Sequence, residues 1–179
     1  MSFVPAGDDV DGEEEAALTG VPPGPGDTAD PPPLPDLLDR LEAAMVGHAV
    51  AECEVINRFT PGLYIRECRM KAGTLGVSMI HAVEHPFIVS EGVVAVTSEA
   101  EGTVIYAAPH TGITQPGTRR ALYAHTDVVW TTIHPNPGDG REVAAIVARV
   151  TEAHDNPAVP AELANQWRLN NITLGISGE

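Results

Sequence analysis

Cysteine, basic residues and long apolar runs are all scarce in this chain of 179 residues. The two cysteines, Cys53 and Cys68, are too few for a disulfide scaffold and lack the paired spacing of a zinc ribbon. No run approaches the roughly 20 apolar residues that a membrane-spanning helix needs, and no basic flank precedes an apolar segment at the N-terminus. We therefore expect buried free thiols, a reducing compartment, no signal peptide and no membrane partner.

Basic residues are also few in this chain. The chain has 10 Lys or Arg against 25 Asp or Glu, which gives a formal net charge of -15. Residues 1–39 hold ten of the acidic residues and no basic one, so the remainder carries fifteen acidic and ten basic residues, a balance of -5 that is ordinary for a domain. Because binding to phosphates needs clustered Lys and Arg, the composition excludes nucleic acid as a partner.

The first 35 residues form a region of their own. They hold eight of the sixteen prolines, an acidic cluster between residues 8 and 15, and few large apolar groups. Such a segment cannot bury enough surface to offset the entropy of ordering it. We predict a disordered, acidic, proline-rich arm over 1–35, which is either a flexible linker or a tether that docks onto a larger assembly.

The next hundred or so residues show two successive periodicities. Apolar residues recur at helical spacing after Asp36, so a short helix is predicted within 36–49, with Asp36 as its cap. Over 50–135 the period shortens towards two in short runs of β-branched and apolar residues, and turns containing glycine or proline separate these runs. This pattern is typical of an antiparallel sandwich or closed barrel. The predicted strands are 51–57, 62–70, 77–83, 86–90, 93–98, 103–107, 119–125 and 128–134.

Residues 136–179 return to helical spacing. Asp139 and Glu142 have the spacing of a capping box, and they are followed by an apolar stripe at Val143, Ile146, Val147 and Val150. We predict a helix over about 140–153 that packs on the barrel. A further helical turn or two is expected over 160–168, and the tail from residue 170 is either an edge strand or frayed.

A histidine-containing frame lies among the predicted strands. Met79, His81 and His85 follow Gly73 by six, eight and twelve residues, and Gly92 stands seven residues after His85. Side chains on an extended strand alternate faces, so His81 and His85 should share one face and point into a barrel. Gly92 stands where a tight turn before the next strand requires a positive φ.

This frame resembles the first motif of the cupin superfamily, with Met79 and His85 at two of its three metal-ligand positions. A shortened version of the second cupin motif surrounds Pro116-Gly117, with Arg120 where cupins have a histidine. The resemblance covers residues 50–135. It implies an all-β fold, a double-stranded β-helix or jelly-roll barrel of the RmlC-like type, with one short helix before the barrel and one after it.

Five stretches in the same span are also similar to a group of small, uncharacterised cupin-like proteins of tailed bacteriophages. That resemblance implies a phage origin and defines no activity. The stretches are Phe59-Thr60-Pro61-Gly62-Leu63-Tyr64, Lys71-Ala72-Gly73-Thr74, His81-Ala82-Val83-Glu84-His85, Pro116-Gly117-Thr118-Arg119-Arg120 and Trp130-Thr131-Thr132-Ile133-His134.

The histidines give a candidate metal site. Imidazole binds divalent transition metals such as Zn, Fe, Ni or Mn, and two histidines from one strand with one from another make a three-ligand face. We predict His81, His85 and His125 as ligands, with His134 and Glu84 as substitutes, although strand alternation points Glu84 away from His81. Alternatively, these histidines are core or rim groups hydrogen-bonded to the backbone, and no cofactor is bound.

Arg120 has two alternative roles. If it points inward, its guanidinium offers a fork for a carboxylate or phosphate, which makes an anion-binding pocket. If it points outward, which we expect, it pairs with a surface acid such as Asp127 or Glu142. Tyr123 and Trp130 are expected to serve packing.

Three functions remain open at this point. The altered ligand set and the long arm favour a non-catalytic phage accessory or virion-associated protein of capsid or tail, found in the host cytoplasm or the virion. His81 and His85 favour a metal-dependent enzyme or small-molecule sensor, although no nucleophile with a local base is present. The acidic arm favours an inhibitor of a host protein. We prefer them in that order, and we expect a dimer or trimer because small barrels associate through sheet edges or faces.

Overall fold

The computed structural model describes residues 31–48, 50, 51 and 53–169, so the predicted arm up to residue 30 and the tail from residue 170 lie outside the described residues. The described helices are α1 Leu34–Met45, α2 Val143–Val150 and α3 Ala161–Leu169. None of the three is long and apolar enough to cross a membrane. The described strands are β1 Glu54–Thr60, β2 Gly62–Met70, β3 Leu75–Val77, β4 Ile80–His81, β5 His85–Glu91, β6 Val93–Ser98, β7 Gly102–Ala107, β8 His110–Thr114, β9 Arg120–Ala124, β10 Val128–Asn136 and β11 Thr151–Glu152.

The strands build two antiparallel sheets with jelly-roll connectivity. One sheet has the order β1-β2-β10-β5-β8, the other has the order β3-β9-β6-β7, and β4 pairs separately with β11. The chain crosses from one sheet to the other between β2 and β3, β5 and β6, β7 and β8, β8 and β9, and β9 and β10, and it also crosses from β3 to β5 by way of β4. Such crossing encloses a core between two sheets of a double-sheet jelly roll. The predicted all-β jelly-roll fold is therefore confirmed.

Alternate side chains from both sheets fill the space between them. On β5, His85, Phe87 and Val89 are buried while Pro86 and Ser90 are exposed. Removal of apolar surface from water, at about 25 cal/mol per Å², is the main favourable term for such a core. The largest apolar cluster draws on both sheets and contains Cys68, Met70, Phe87, Val89, Val94, Val96, Tyr106, Leu122, Ala124, Val128 and Trp130.

The helices cover the barrel from outside. α1 and α3 pack together over β3, where Leu38 and Trp167 meet Val77 in a second apolar cluster. α2 lies against another part of the barrel, where Ile146 packs against Tyr64 in a third cluster. The buried stripe on α2 follows the predicted helical spacing.

Local sequence signals misplace the starts of two helices. α1 begins inside the predicted arm, because Pro35 in its first turn has the φ that a helix needs and no N–H to satisfy there. Asp36 lies within the first turn and is not the cap. The predicted capping box of α2 is wrong, because Asp139 has a φ of 55° and its carboxylate accepts the N–H of Gly62 at 2.7 Å. Glu142, the residue before α2, makes no side-chain cap hydrogen bond.

Two strand predictions also differ from the structure. β8 is missing from the predicted strands because Gly112 is typical of a loop. Gly112 instead lies opposite Phe87 in the ladder, and the Phe87 ring lies 2.5 Å from where a Cβ at residue 112 would stand. The predicted strand 77–83 is divided between β3 and β4, and the chain leaves regular structure before β5. The positive φ predicted for Gly92 is confirmed at 84°.

Candidate functional site

The barrel interior changes from apolar to polar along β10. Its inward side chains are all buried, and they run from Val128 and Trp130 through Thr132 to His134 and Asn136. Strand alternation alone places these five residues on one face. Polar side chains in a barrel core need hydrogen-bond partners or a ligand, because burial without either costs free energy. The polar end of β10 therefore marks the candidate site.

Three histidines from three strands meet at this end. The ring of His85 in β5 lies between those of His81 in β4 and His134 in β10, at centroid distances of 4.7 Å and 4.1 Å. His85 Nδ1 donates to the Val83 carbonyl at 2.9 Å, and His134 Nε2 lies 3.0 Å from Thr132 Oγ1. Within residues 53–169, His81 Nδ1, His85 Nε2 and His134 Nδ1 are buried without a hydrogen-bond partner.

All three imidazoles are held in the neutral form. Burial, together with the positive charge of Arg120, lowers the pKa of His81 to about 2. Burial likewise lowers the pKa of His134 to about 3. For His85, burial lowers the pKa despite the hydrogen bond to the Val83 carbonyl, which favours the protonated ring. Near neutral pH each ring therefore offers one N–H and one lone pair.

A small cavity adjoins His81. Its volume is about 60 Å³, which suffices for a few waters or one small oxyanion, since a water molecule takes up about 30 Å³ in the liquid. Two guanidinium groups and an imidazole share this space. The lining residues are Arg66, Cys68, Met70, Ser78, His81, Arg120, Leu122, Trp130 and Thr132.

Arg120 points into the barrel, so the expected outward orientation is wrong. Its side chain is only 5% exposed, and the guanidinium carbon lies 5.4 Å from the Phe87 ring centroid and 5.3 Å from that of Trp130. Nη2 donates to Thr114 Oγ1 at 2.6 Å. The strand begins at residue 120 with its backbone N–H donating to Ser78 Oγ, and this register sets which side chains face inward.

Within the described part of the chain no carboxylate lies within ion-pairing distance of Arg120, although the Glu101 charge acts on it from farther away. None of the ion pairs there, all with N–O distances within 4.0 Å, involves its guanidinium. Desolvation lowers the pKa of Arg120 to about 10, so the group stays charged at neutral pH. Among the described residues, the side chain that accepts a hydrogen bond from this buried cation is the neutral hydroxyl of Thr114.

His125 and Glu84 lie away from this group. His125 follows β9 on its outward side, is exposed, and packs edge-on against the exposed Tyr123 ring at 5.0 Å. Strand alternation explains this placement, because Arg120, Leu122 and Ala124 are the buried residues of β9. Glu84 is exposed between β4 and β5. The structure thus brings together His81, His85 and the substitute His134, and it leaves out His125.

The interior residues do not fit a resident transition metal. A metal ion needs donor atoms that converge, and no trio within the described residues that includes these histidines has its donor atoms within 4.8 Å of one another. Met79, at the first ligand position of the cupin-like frame, lines a different cavity together with Glu42 and Trp167. Arg120, at the last ligand position, adds a fixed positive charge that repels a cation.

A second polar cluster, which we call the outer cluster, comprises Asp39, Glu42, Arg119, His154 and Asn156. Asp39, Glu42 and His154 form the one described trio whose donor atoms lie within 4.8 Å of one another. Arg119 forms ion pairs with Asp39 at 2.6 Å and with Glu42 at 2.8 Å, and His154 Nε2 lies 2.7 Å from Asp39 Oδ1. The Asn156 side chain donates to the Asp39 carbonyl at 2.8 Å.

The outer cluster joins α1 to the barrel and to the segment after β11. Burial raises the pKa of Asp39, but the hydrogen bonds from Arg119 and His154 outweigh it, so the net pKa is lowered. Its carboxylates already have a guanidinium partner, which explains the arrangement without a metal ion. No local pattern indicates this cluster, because its residues come from three distant segments.

Comparisons with known proteins give structural similarities at low identity. No family profile and no curated protein sequence matches the chain. Among solved structures, ectoine synthase from P. lautus is 14% identical, with a TM-score of 0.45 over 55% of this chain and 74% of that one. Salicylate 1,2-dioxygenase from Pseudaminobacter salicylatoxidans is 19% identical, with a TM-score of 0.42 over 55% of this chain and 32% of that one. The cupin domain of Schizosaccharomyces pombe Cnp3 is 15% identical, with a TM-score of 0.41 over 50% of this chain and 70% of that one.

Proposed function

We propose that this cupin-like barrel binds a small anion in its interior, and that Arg120 is the group that holds it. The supporting observation is a buried guanidinium that lines a cavity and has no carboxylate partner among the described residues. An isolated buried charge costs several kcal/mol, and a partner of opposite charge offsets much of that cost. Arg66 lines the same cavity and adds a second positive charge.

The geometry around Arg120 suits a planar or tetrahedral oxyanion. A guanidinium presents N–H groups in a fixed fork that matches carboxylate and phosphate oxygens. Contacts with the Phe87 and Trp130 rings, together with the hydrogen bond to Thr114, hold this fork in one orientation. Such preorganisation lowers the entropy lost when a ligand binds.

The histidines restrict the ligand further. His81 lines the cavity together with Arg120, and its buried Nδ1 has no hydrogen-bond partner, so it can exchange a hydrogen bond with a ligand. A ligand that satisfies both groups carries an anionic oxygen for Arg120 and a second hydrogen-bonding oxygen for His81. Hydrogen phosphate and small hydroxy acids have this combination. A cavity of about 60 Å³ limits the ligand to a few heavy atoms.

A thermal-unfolding titration tests this function. Wild type is compared at constant ionic strength in chloride, phosphate, glycolate and the neutral analogue ethylene glycol. We expect phosphate or glycolate to raise the Tm, since a ligand at 100 times its Kd adds about 2.7 kcal/mol to stability. Arg120→Gln should abolish the shift, while Arg69→Gln, which removes an exposed guanidinium, should preserve it. Equal shifts in both variants, or none in wild type with any anion, would contradict the proposal.

The role as a phage accessory or virion protein stays a separate prediction. It rests on the resemblance and on the acidic arm, and anion binding in the barrel is compatible with it. Sedimentation of phage particles from a lysate tests it. Recovery of the protein with capsids or tails is the expected result, and recovery only in the particle-free supernatant would count against the role.

A further inference from the structure

The two cysteines lie side by side where β1 begins. The ladder between β1 and β2 pairs Val55 with Cys68, and Cys53 precedes Val55 by two residues, so both thiols lie on the same side of the hairpin. The two thiols are close enough for each to shift the pKa of the other. Cys53 also packs against the apolar cluster that contains Cys68. The two sulfur atoms are therefore neighbours although they are fifteen positions apart in the chain.

Small molecules can approach the pair from two sides. Cys53 is half-buried and lines an open cleft of about 570 Å³ together with Arg69, Lys71 and Asp127. Cys68 is 4% exposed and lines the interior cavity together with Arg66. That cavity has room for a molecule the size of hydrogen peroxide. Neither thiol is sealed away from a small oxidant.

We infer that Cys53 and Cys68 form a dithiol that hydrogen peroxide converts to an intramolecular disulfide. The Cys68 thiolate attacks one peroxide oxygen, which breaks the O–O bond and gives a sulfenic acid and hydroxide. The Cys53 sulfur then attacks the sulfenic sulfur, so that the S–S bond forms, the S–O bond breaks, and water leaves after protonation. In balance, two thiols and one peroxide give one disulfide and two waters.

The surroundings support Cys68 as the attacking group. Cys68 lines the interior cavity beside Arg66, and the interaction with Cys53, followed by the Arg66 charge, lowers the pKa of Cys68 against the opposing effect of burial. The same interaction and burial both raise the pKa of Cys53. Thiolates are the reactive form of cysteine, so the proton distribution assigns Cys68 as nucleophile and Cys53 as the resolving thiol.

Intact mass spectrometry of the wild-type full chain tests the inference. The reduced protein is treated with excess hydrogen peroxide, denatured and alkylated with N-ethylmaleimide. We expect loss of both alkylatable thiols, a monomer lighter by two hydrogen atoms, and full recovery of both thiols after dithiothreitol. Two thiols that still alkylate, a disulfide only between chains, or added oxygen on each cysteine without a disulfide would overturn the inference.

Two variants test the assigned order. In Cys53→Ser, peroxide should leave a sulfenic acid on Cys68 that dimedone traps as one adduct. In Cys68→Ser, the same dose should give at least tenfold less adduct at Cys53. The reverse ranking, or equal adduct in both variants, would overturn the roles. The unfolding midpoint of each variant shows whether it is folded, and the wild-type mass measurement needs no variant.

Discussion

Arg119 and Arg120 are neighbours in the chain, yet their side chains lie in two contrasting regions. Arg119 faces outward under α1, where Asp39 and Glu42 bind its two terminal nitrogens in the outer cluster. Arg120 faces the interior, where aromatic rings and a hydroxyl contact it, and no carboxylate among the described residues does. One arginine is paired within the fold, and the other is buried with no carboxylate within ion-pairing distance among the described residues. The proposed function therefore gives two neighbouring arginines different roles, an ion pair for Arg119 and an anion site for Arg120.

Acid should produce the largest effect, and it acts on the interior region. A histidine whose folded pKa is lowered binds its proton more readily when unfolded, so stability is fully present above the unfolded pKa of about 6.5 and falls as the pH drops below it. With folded pKa values of about 2 for His81 and about 3 for His134, each costs about 2–3 kcal/mol at pH 4.5. We expect urea unfolding to show a fall of about 5 kcal/mol between pH 7 and 4.5.

Two variants test whether the interior histidines cause this fall in unfolding free energy. His134→Asn should halve it, whereas His125→Asn, which changes an exposed ring outside the cluster, should leave it unchanged. A wild-type stability that is flat between pH 7 and 4.5 would show that the interior histidines do not control it.

Removal of the outer guanidinium should produce the next largest effect. Arg119→Met leaves two neighbouring carboxylates without their cation, and breaking such a buried pair costs about 3–5 kcal/mol. We expect the variant to lose about 3 kcal/mol of unfolding free energy, measured with urea. The loss should lie at the low end of the range because Asp39 is 32% exposed and therefore partly screened. As the control, Arg58→Met removes an exposed pair with Glu67 and should cost about 0.5 kcal/mol or less. Equal losses of unfolding free energy in the two variants would contradict the contrast between the buried ion pairs of Arg119 and the exposed ion pair of Arg58.

Gly112→Ala should disturb the interior region without touching a charge. The new Cβ would overlap the Phe87 ring, so the ring must shift, and its contact with Arg120 changes with it. Overpacking of this kind costs about 1–3 kcal/mol, and the displaced ring should also weaken anion binding. Gly140→Ala is the matched control, because the nearest atom to its Cβ is 4.0 Å away. Urea unfolding measures the loss of stability, and the anion-dependent Tm shift measures the loss of binding. An unchanged Tm shift in Gly112→Ala would mean that Phe87 does not orient the guanidinium.

Arg120→Met should change stability least. In anion-free buffer the variant exchanges an uncompensated buried charge for an apolar side chain of similar length, which is neutral or stabilising. We expect unfolding free energy within about 1 kcal/mol of wild type. This contrasts with Arg119→Met, although the two substitutions are adjacent. A loss as large as that of Arg119→Met would mean that Arg120 is a structural residue.

Alternation of side chains predicts part of the interior region from the sequence. It brings His81 and His85 to one face, and that pair is close in the structure even though the chain between them is not one continuous strand. It does not fix the orientation of Arg120, because the turn at Pro116-Gly117 sets which residue of β9 points inward first. For the same reason the sequence does not show that His125 faces outward, so His125 is preferred to His134 as the third histidine of the group.

The outer cluster lies beyond local sequence reasoning altogether. Arg119 and Asp39 are 80 positions apart, and His154 and Asp39 are 115 positions apart. Only the packing of α1 against β3 brings these residues together, and no spacing rule encodes it. Gly112 is a similar case, since its place in β8 depends on the bulk of Phe87 across the ladder.

Anomalous diffraction from crystals soaked in bromide tests the central claim most directly, because bromide is a small anion whose position can be identified unambiguously. The account predicts an anomalous peak in the interior cavity within hydrogen-bonding distance of the Arg120 guanidinium, and its loss in Arg120→Gln crystals. Bromide found only beside exposed arginines such as Arg58 and Arg69, with waters alone next to Arg120, would contradict it.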